Sequence, residues 1–495
     1  MYFPEFRSFA EITTSFDLVP IHRTIIADLD TPLTIFAKVA GSDPHAFLFE
    51  SMEGGEKWGR YSFVGLAPLL TFTSTGDTVR IEYPGLAVGA DERTGVNPLD
   101  ELRQLLASFK VSDAPGLPRF YGGAVGFLGY DMVRFIERLP DRHPSMDLPD
   151  SSFMVPGIVL IHDAIRQTLT VVCNVWKKDG DDIQRLYGDA CRSIDEIIAH
   201  LAQPIPGQFV IQDQSAKTHQ FTSNMSEADF AAMVERAKEY ILAGDIIQVV
   251  LSQRFHTELQ IKPFALYRAL RHINPSPYLF YLRQGDILLI GSSPEILVRL
   301  EDEHIELRPI AGTRKRGATP AEDQELELEL LADPKERAEH LMLVDLGRND
   351  VGRTAEPGSV TVRDLLMVER YSHVMHIVSG VHGKLRTDLD QFDVMAACFP
   401  AGTVSGAPKI RAMEIVDELE PDRRGPYAGA VGYFGFSGNM DFCITIRTFI
   451  LKGRDLWIQA GAGIVADSDP AKEYEETVNK AMGLRRALKL AEKGL

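Results

Sequence analysis

The chain has 495 residues and 45% hydrophobic content, which fits a globular protein of two or three domains and not a disordered one. Its formal charge of −18, from 70 acidic and 52 basic residues, argues against a general nucleic-acid binder and against docking on anionic membrane. The opening MYFPEFRSFAEITTSF carries acids and no apolar core, and no run approaches ~18 apolar residues, so neither a signal peptide nor a membrane span is expected. Cys173, Cys191, Cys398 and Cys443 show neither CxxC nor zinc-like spacing and read as small core residues of a reduced, cytoplasmic protein.

In chain order, short β-like runs (HAFLFES, RYSFVGLA, SFMVPGIVLIHDA, LTVVCNVW) alternate with glycine turns and two helical stretches up to about residue 205. Residues 206–223, rich in Gln, Ser, Thr and Pro, read as a connection between a 1–205 domain and a 224–495 domain. Beyond it the helix EADFAAMVERAKEYILAG is followed by DILLIGSS, EILVRL, HIELRPI, YAGAVGYFGF, FCITIRTFIL and DLWIQAGAGIV. Strands come in runs and do not alternate strictly with helices, which predicts an α+β fold with mostly antiparallel sheet. GGAVGFLGYD (122–131) is echoed by AGAVGYFGFS (428–437), a similarity that two glycine-rich hairpins would also give.

DPKERAEH (333–340) and DPAKEYEE (469–476) each begin a helix with an Asp cap and a Pro at the first helical position. Glu336 falls at the capping-box position, and a cap is one full reading of it. Glu339 sits beside Met342, Leu343 and Leu346 at helical spacing, inside the apolar stripe, with Arg337 and His340 outside it. A buried carboxylate must be paired, protonated or metal-bound. In the second helix Glu473, Glu476 and Lys480 share a flank beside Leu484 and Ala487, where an ordinary i,i+4 ion pair is the alternative. Hard oxygen donors without nearby cysteine or an HxxxH pattern point to Mg²⁺.

Several further groups suit an anionic ligand. RPIAGTRKRG ends a strand in Gly312-Thr313 with a basic loop behind. PAGTVSGAPK lacks the ending of a nucleotide phosphate loop, yet offers backbone N–H groups, Thr403 and Lys409 to a carboxylate. In CITIRTF, Arg447 shares a strand face with Thr445 and Phe449, as a solvated cation or a bidentate carboxylate clamp. Gly461-Ala462-Gly463 lets backbone N–H groups approach an anion closely. His376 reads as a core histidine or an acid/base group, and Glu295 as a strand glutamate or a general acid. A small, multiply anionic substrate is the inference.

These segments, with GDIIQVVLSQRF, NPSPYLFYL, EHLMLVDLGRNDVGR and FPAGTVSGAPKIRAME, resemble the chorismate-utilising enzymes, and within them the anthranilate-forming branch. The resemblance runs from FES at 49–51 to NKA at 479–481. It implies a two-domain, mostly antiparallel β-sheet sandwich flanked by helices, with chorismate and Mg²⁺ in the C-terminal part. By position it makes Glu339 and Glu476 the metal ligands, with Glu336 and Glu473 secondary. Gly461, Ala462, Gly463 and Lys480 match the ring-carboxylate site, Tyr427 and Arg447 the enolpyruvyl-carboxylate site, and Gly312 and Thr313 a substrate-contacting pair. Glu295 matches the acid that assists departure of the ring hydroxyl, His376 the group beside the elimination step, and Thr403 a further pocket residue. Glu50, Ser51, Pro277, Tyr278 and Leu279 resemble a tryptophan feedback pocket built from both domains.

The resemblance further implies a separate glutamine amidotransferase subunit, since none of the four cysteines lies in a glutaminase-like nucleophile motif, and an assembly of two large and two small subunits. Isochorismate- and salicylate-forming relatives usually carry a water-activating lysine where Gln248 stands. The aminodeoxychorismate-forming branch typically has a lysine nucleophile where Ala311 stands. Neither residue here supplies that chemistry, which favours anthranilate over the folate-branch alternative. A non-catalytic tryptophan sensor would need neither Glu339, Glu476, Arg447 nor His376.

Overall fold

The structure, a computed structural model, describes residues 1–52, 59–84, 89–210, 219–371 and 374–494. The apolar runs become strands: His45–Glu50, Tyr61–Thr75, Ser151–Asp163 and Thr168–Trp176 in the first half, Ile287–Ser293, Ile296–Glu301 and Asp455–Ile464 in the second. Among the described residues 22 strands join through antiparallel ladders, with helices laid against them, so the α+β, mostly antiparallel fold holds. No described helix is long and apolar enough to cross a membrane. Of the expected connection, 211–218 lies outside the described residues. Before it Gly207–Val210 makes one helical turn, and after it Thr222–Ser223 pairs with Phe255 and His256.

Alternation along the strands explains the layering. In Tyr278–Gln284, Phe280 and Leu282 enter one apolar core while Leu279 and Tyr281 enter a second. The first core is shared by strands and by helices such as Glu227–Ala243 and Lys409–Leu419. The second lies under helices such as Pro263–Ile273, where Phe264 stacks on Phe36 with ring centroids 5.5 Å apart. A strand buried on both faces needs no polar alternation, hence the unbroken apolar reading of DILLIGSS. Each such Leu or Phe contributes about 1.5–3 kcal/mol by leaving water.

The two halves of the chain meet strand against strand. His45–Glu50 pairs with Tyr278–Gln284, placing Leu48 opposite Tyr281. Gly123–Leu128 pairs with Ala430–Gly435, placing Gly126 opposite Gly432. The echoed segments are therefore neighbours in space. Only the second belongs to a tight hairpin, with Met440–Ile444, while the first runs into the 3₁₀ turn Tyr130–Phe135.

One expected strand is broken. FCITIRTFIL forms Met440–Ile444 and Thr448–Lys452, and between them Arg447 takes a φ of +51°. Thr445, Arg447 and Phe449 thus do not share one continuous strand face. The adjacent strand breaks at the same level, where Pro294 has no N–H to continue a ladder. The two gaps brace each other, since Ser292 N–H donates to the Arg447 carbonyl and Ile444 N–H to the Glu295 carbonyl, at 3.2 and 3.0 Å. The paired break releases Glu295 and Arg447 from the ladders. A non-glycine residue at positive φ costs of order 1–3 kcal/mol and is characteristic of functional sites.

Candidate active site

Both glutamate helices start as their sequences predict. Asp333 accepts from the N–H groups of Lys335 and Glu336, and Asp469 from those of Ala471 and Lys472. Glu336 does not complete a capping box. Its carboxylate instead accepts from Arg314 at 3.2 Å, and the same guanidinium holds Asp333 at 2.7 Å. The buried stripe of the Pro334–Gly352 helix is His340, Leu343, Val344, Gly347, Asp350 and Val351. His340, expected outside it, is 0% exposed. The Ser379 hydroxyl, 2.7 Å from its Nε2, meets its polar edge, and burial lowers its pKa to about 4. Glu339 therefore lies on the flank of the stripe and not within it, turned toward the Gln248–Glu258 strand, where Gln248 Nε2 donates to it at 3.1 Å.

That strand pairs with Asp455–Ile464, setting Val250 opposite Gly463 and Ser252 opposite Gly461. A Cβ at either glycine would force a neighbour to shift. A Cβ at Gly461 would stand 2.9 Å from the Tyr427 hydroxyl, and one at Gly463 2.6 Å from Gln248 Nε2. Lys480 reaches back from its helix to the Gly461 carbonyl at 2.9 Å and pairs with Glu476 at 2.7 Å, the ordinary i,i+4 ion pair. Arg447 donates to the Lys480 carbonyl at 2.9 Å. Burial lowers the pKa of Arg447 and raises that of Tyr427, each partly opposed by the other's charge.

On the opposite wall the Ile310–Lys315 strand slips register against Val374–Lys384 at Gly312. His376 Nδ1 lies 3.1 Å from both the Gly312 carbonyl and the Thr313 hydroxyl, with the Tyr371 ring edge-on at 5.5 Å. Burial lowers the His376 pKa, favouring neutral imidazole. An Nδ1–H donated to the carbonyl leaves Nε2 as the acceptor. Glu295 is 8% exposed, and burial raises its pKa to about 8, moderated by the Thr403 hydroxyl and the Lys480 charge. The carboxyl and the hydroxyl, which meets no partner at hydrogen-bond geometry, both line one cavity of about 370 Å³.

The site residues read from the sequence thus come from nine separate stretches of chain, linked by hydrogen bonds, an ion pair and their mutual electrostatic effects. Glu339 and Glu473 both stand above the ordinary carboxylate range, through burial first and then through nearby carboxylate charge, Glu476 acting on each. A hard dication would relieve that repulsion, and the donors are all carboxylate oxygens, so the set fits Mg²⁺. Among the described residues the four glutamates do not close into a cluster of three at metal-ligating distance.

A second cavity, of about 570 Å³, brings together Glu50 and Ser51 with Pro277, Tyr278 and Leu279. The pairing of Glu50 with Leu279 makes this meeting of distant segments unavoidable. The Glu50 carboxylate is engaged by Arg271 at 3.1 Å and by the Tyr267 hydroxyl at 2.5 Å. Inside, Asp441 accepts from the Tyr278 hydroxyl at 2.8 Å and from Arg299 Nε at 3.0 Å. Sequence reading missed Arg299, although a charge between Val298 and Leu300 in an apolar run was its signal. It also missed Arg424, which nothing in DRRGPY separates from its exposed-looking neighbour.

The sequence profile of the chorismate binding enzymes matches residues 46–486, and the chain belongs to that family. It is 46% identical over 499 residues to anthranilate synthase component 1 of Acetivibrio thermocellus, covering 99% of each chain. The crystal structure of anthranilate synthase component I from Streptococcus pneumoniae TIGR4 superposes with a TM-score of 0.77 at 36% identity, over 93% of this chain and 99% of that one. The menaquinone-specific isochorismate synthase of Escherichia coli shares the fold, with a TM-score of 0.69 at 22% identity over 97% and 98% of the two chains.

Proposed function

We propose that this chain is the chorismate-converting subunit of an anthranilate synthase, aminating chorismate with ammonia and eliminating pyruvate. The observation that carries the reading is full-length similarity to anthranilate synthase component 1 combined with Gln248 and Ala311 at the two positions that divert sister enzymes. Glu339 and Glu476 would hold Mg²⁺, with Glu336 and Glu473 in support, and the ion would polarise the substrate and neutralise its ring carboxylate.

The Gly461–Gly463 backbone and Lys480 take the ring carboxylate, while Tyr427 and Arg447 orient the enolpyruvyl carboxylate. Thr313 and Gly312 border the ring. Glu295 gives its proton to the departing hydroxyl as the new C–N bond forms, so the C–O bond breaks to water. Neutral His376 stands beside the second half. There a ring proton passes to a base, its C–H electrons form the aromatic ring as those of the ring–ether C–O bond pass to the enolpyruvyl oxygen, and the enolpyruvate released takes up a proton at its methylene carbon to become pyruvate. Gln248 cannot act as a base, which leaves ammonia and not activated water as nucleophile. Ammonia would come from a glutamine amidotransferase subunit, in an assembly of two large and two small subunits. Mixing the purified chain with chorismate, Mg²⁺ and ammonium should produce anthranilate fluorescence. Isochorismate or aminodeoxychorismate as the stable product would refute the reading.

Ala311→Lys places an amine on the Ile310–Lys315 strand, next to Gly312 and opposite Ile377, the neighbour of His376. Anthranilate output is expected to fall at least tenfold, with a chorismate-derived adduct trapped on the lysine. Intact-mass analysis checks this, and an unmodified, fully active variant would remove Ala311 from the site.

Tryptophan is proposed to inhibit from the cavity around Ser51, whose walls come from both halves of the chain. An effector acts only through differential affinity for two states, so bound chorismate should weaken tryptophan binding by the same factor. Ser51→Phe fills the cavity and is expected to raise the inhibitory concentration by an order of magnitude or more, with uninhibited turnover retained. Parallel tryptophan titrations of wild type and variant decide it, and identical curves would place the inhibitor elsewhere.

A further inference from the structure

The largest of the fully buried side chains among the described residues is a cation. Arg424 is 1% exposed, and all three of its guanidinium nitrogens donate hydrogen bonds. Nε donates to Glu420 at 2.9 Å, and Nη2 donates to the other oxygen of the same carboxylate at 2.6 Å. Nη2 also donates to the Val250 carbonyl and Nη1 to the Val404 carbonyl, both at 2.7 Å. The planar group lies 4.7 Å from the Tyr130 ring centroid and 5.7 Å from that of Tyr427.

These partners converge on the substrate pocket. Val250 is the cross-strand partner of Gly463. Val404 follows Thr403. Tyr427 is three residues further along the chain, with its hydroxyl against Gly461. Glu420 extends the grip, accepting from Ser252 N–H and Oγ–H at 2.7 and 2.8 Å, and Ser252 is the cross-strand partner of Gly461. One ion pair therefore touches the backbone behind the glycine run, the loop carrying Thr403 and the ring of Tyr427, without itself facing the pocket.

A buried pair of this kind is weak support for stability, because desolvation offsets most of its attraction. Its rigid bidentate geometry is better suited to fixing distances. We propose that Arg424, locked by Glu420, is a positioning residue for the carboxylate-binding wall of the active site. It sets the spacing among the Gly461–Gly463 backbone, Thr403 and Tyr427. The assignment rests on the chorismate reading above and adds a residue that contacts no substrate.

The test is Arg424→Lys in the full chain. An ammonium keeps the charge opposite Glu420 but cannot satisfy two carbonyls and a bidentate carboxylate from one point. The variant is expected to unfold cooperatively, to raise KM for chorismate at least tenfold, and to keep kcat within about threefold, as for lost uniform binding. A role confined to stability would lower the melting temperature and leave both constants of the folded enzyme unchanged, which would overturn the proposal. Glu420→Gln, which loosens the fork without emptying its place, is measured alongside with the same expectation and serves if the lysine variant does not fold. Wild type run in parallel separates the outcomes. No anthranilate from wild type refutes the reading beneath, whereas an active wild type with unmoved variant KM values refutes only the role of Arg424.

Discussion

Glu339→Gln and Glu476→Gln are each expected to lower anthranilate formation by about 10²–10⁴, the loss that follows when several kcal/mol of metal-dependent stabilisation is withdrawn. Calorimetric Mg²⁺ titration should show weakened binding in both variants, independently of turnover. The apo fold should not suffer. Burial and neighbouring carboxylates hold the Glu339 pKa above its ordinary value. With the folded value raised, the stability tied to this proton is complete below the ordinary carboxylate range and is lost as pH rises through the folded value. At neutral pH the ionised group works against folding, so the amide should leave the apo melting temperature unchanged or higher. Near wild-type turnover at moderate Mg²⁺ in either variant would defeat the metal assignment.

The second large effect concerns Glu295. Its carboxyl is protonated up to about pH 8, so a proton is available for the leaving hydroxyl through neutrality. At a fixed concentration of free ammonia, kcat should be level below that value and decline above it as the acid form disappears. Glu295→Gln is expected to cost about 10²–10⁴ in kcat, the span of general acid catalysis, and to abolish the alkaline decline. A pH profile of the variant that keeps the decline would assign it to another group.

Local signals carried much of the architecture. The Asp-Pro helix starts at 333 and 469 were legible because a cap depends on three adjacent residues. The buried strands were legible because apolar runs need no partner to be recognised. What failed depended on distant neighbours. Arg314 arrives from another strand and takes Glu336 away from its cap. His340 looked solvated until Ser379 supplied a polar partner beneath the helix. The break at Arg447 exists because a strand some 150 residues earlier breaks beside it at Pro294. The roles of Glu295, His376 and Arg447 were ambiguous from residue chemistry alone, and family resemblance chose among the readings. The fold adds their proximity. Arg424 had no sequence signal, since burial alone distinguishes it from Arg423.

The pairing of His45–Glu50 with Tyr278–Gln284 also bears on biosynthesis. The partner of that early strand is encoded roughly 230 residues downstream. At about 5–20 residues per second, the ribosome needs on the order of 10–50 s to deliver it. Throughout that interval Ala46, Phe47 and Leu48 belong to a nascent sheet with an unsatisfied hydrogen-bonding margin. Such a margin is a template for pairing with a sister chain on the same message. Solubility during synthesis is therefore expected to depend on how quickly the later portion arrives to close that margin.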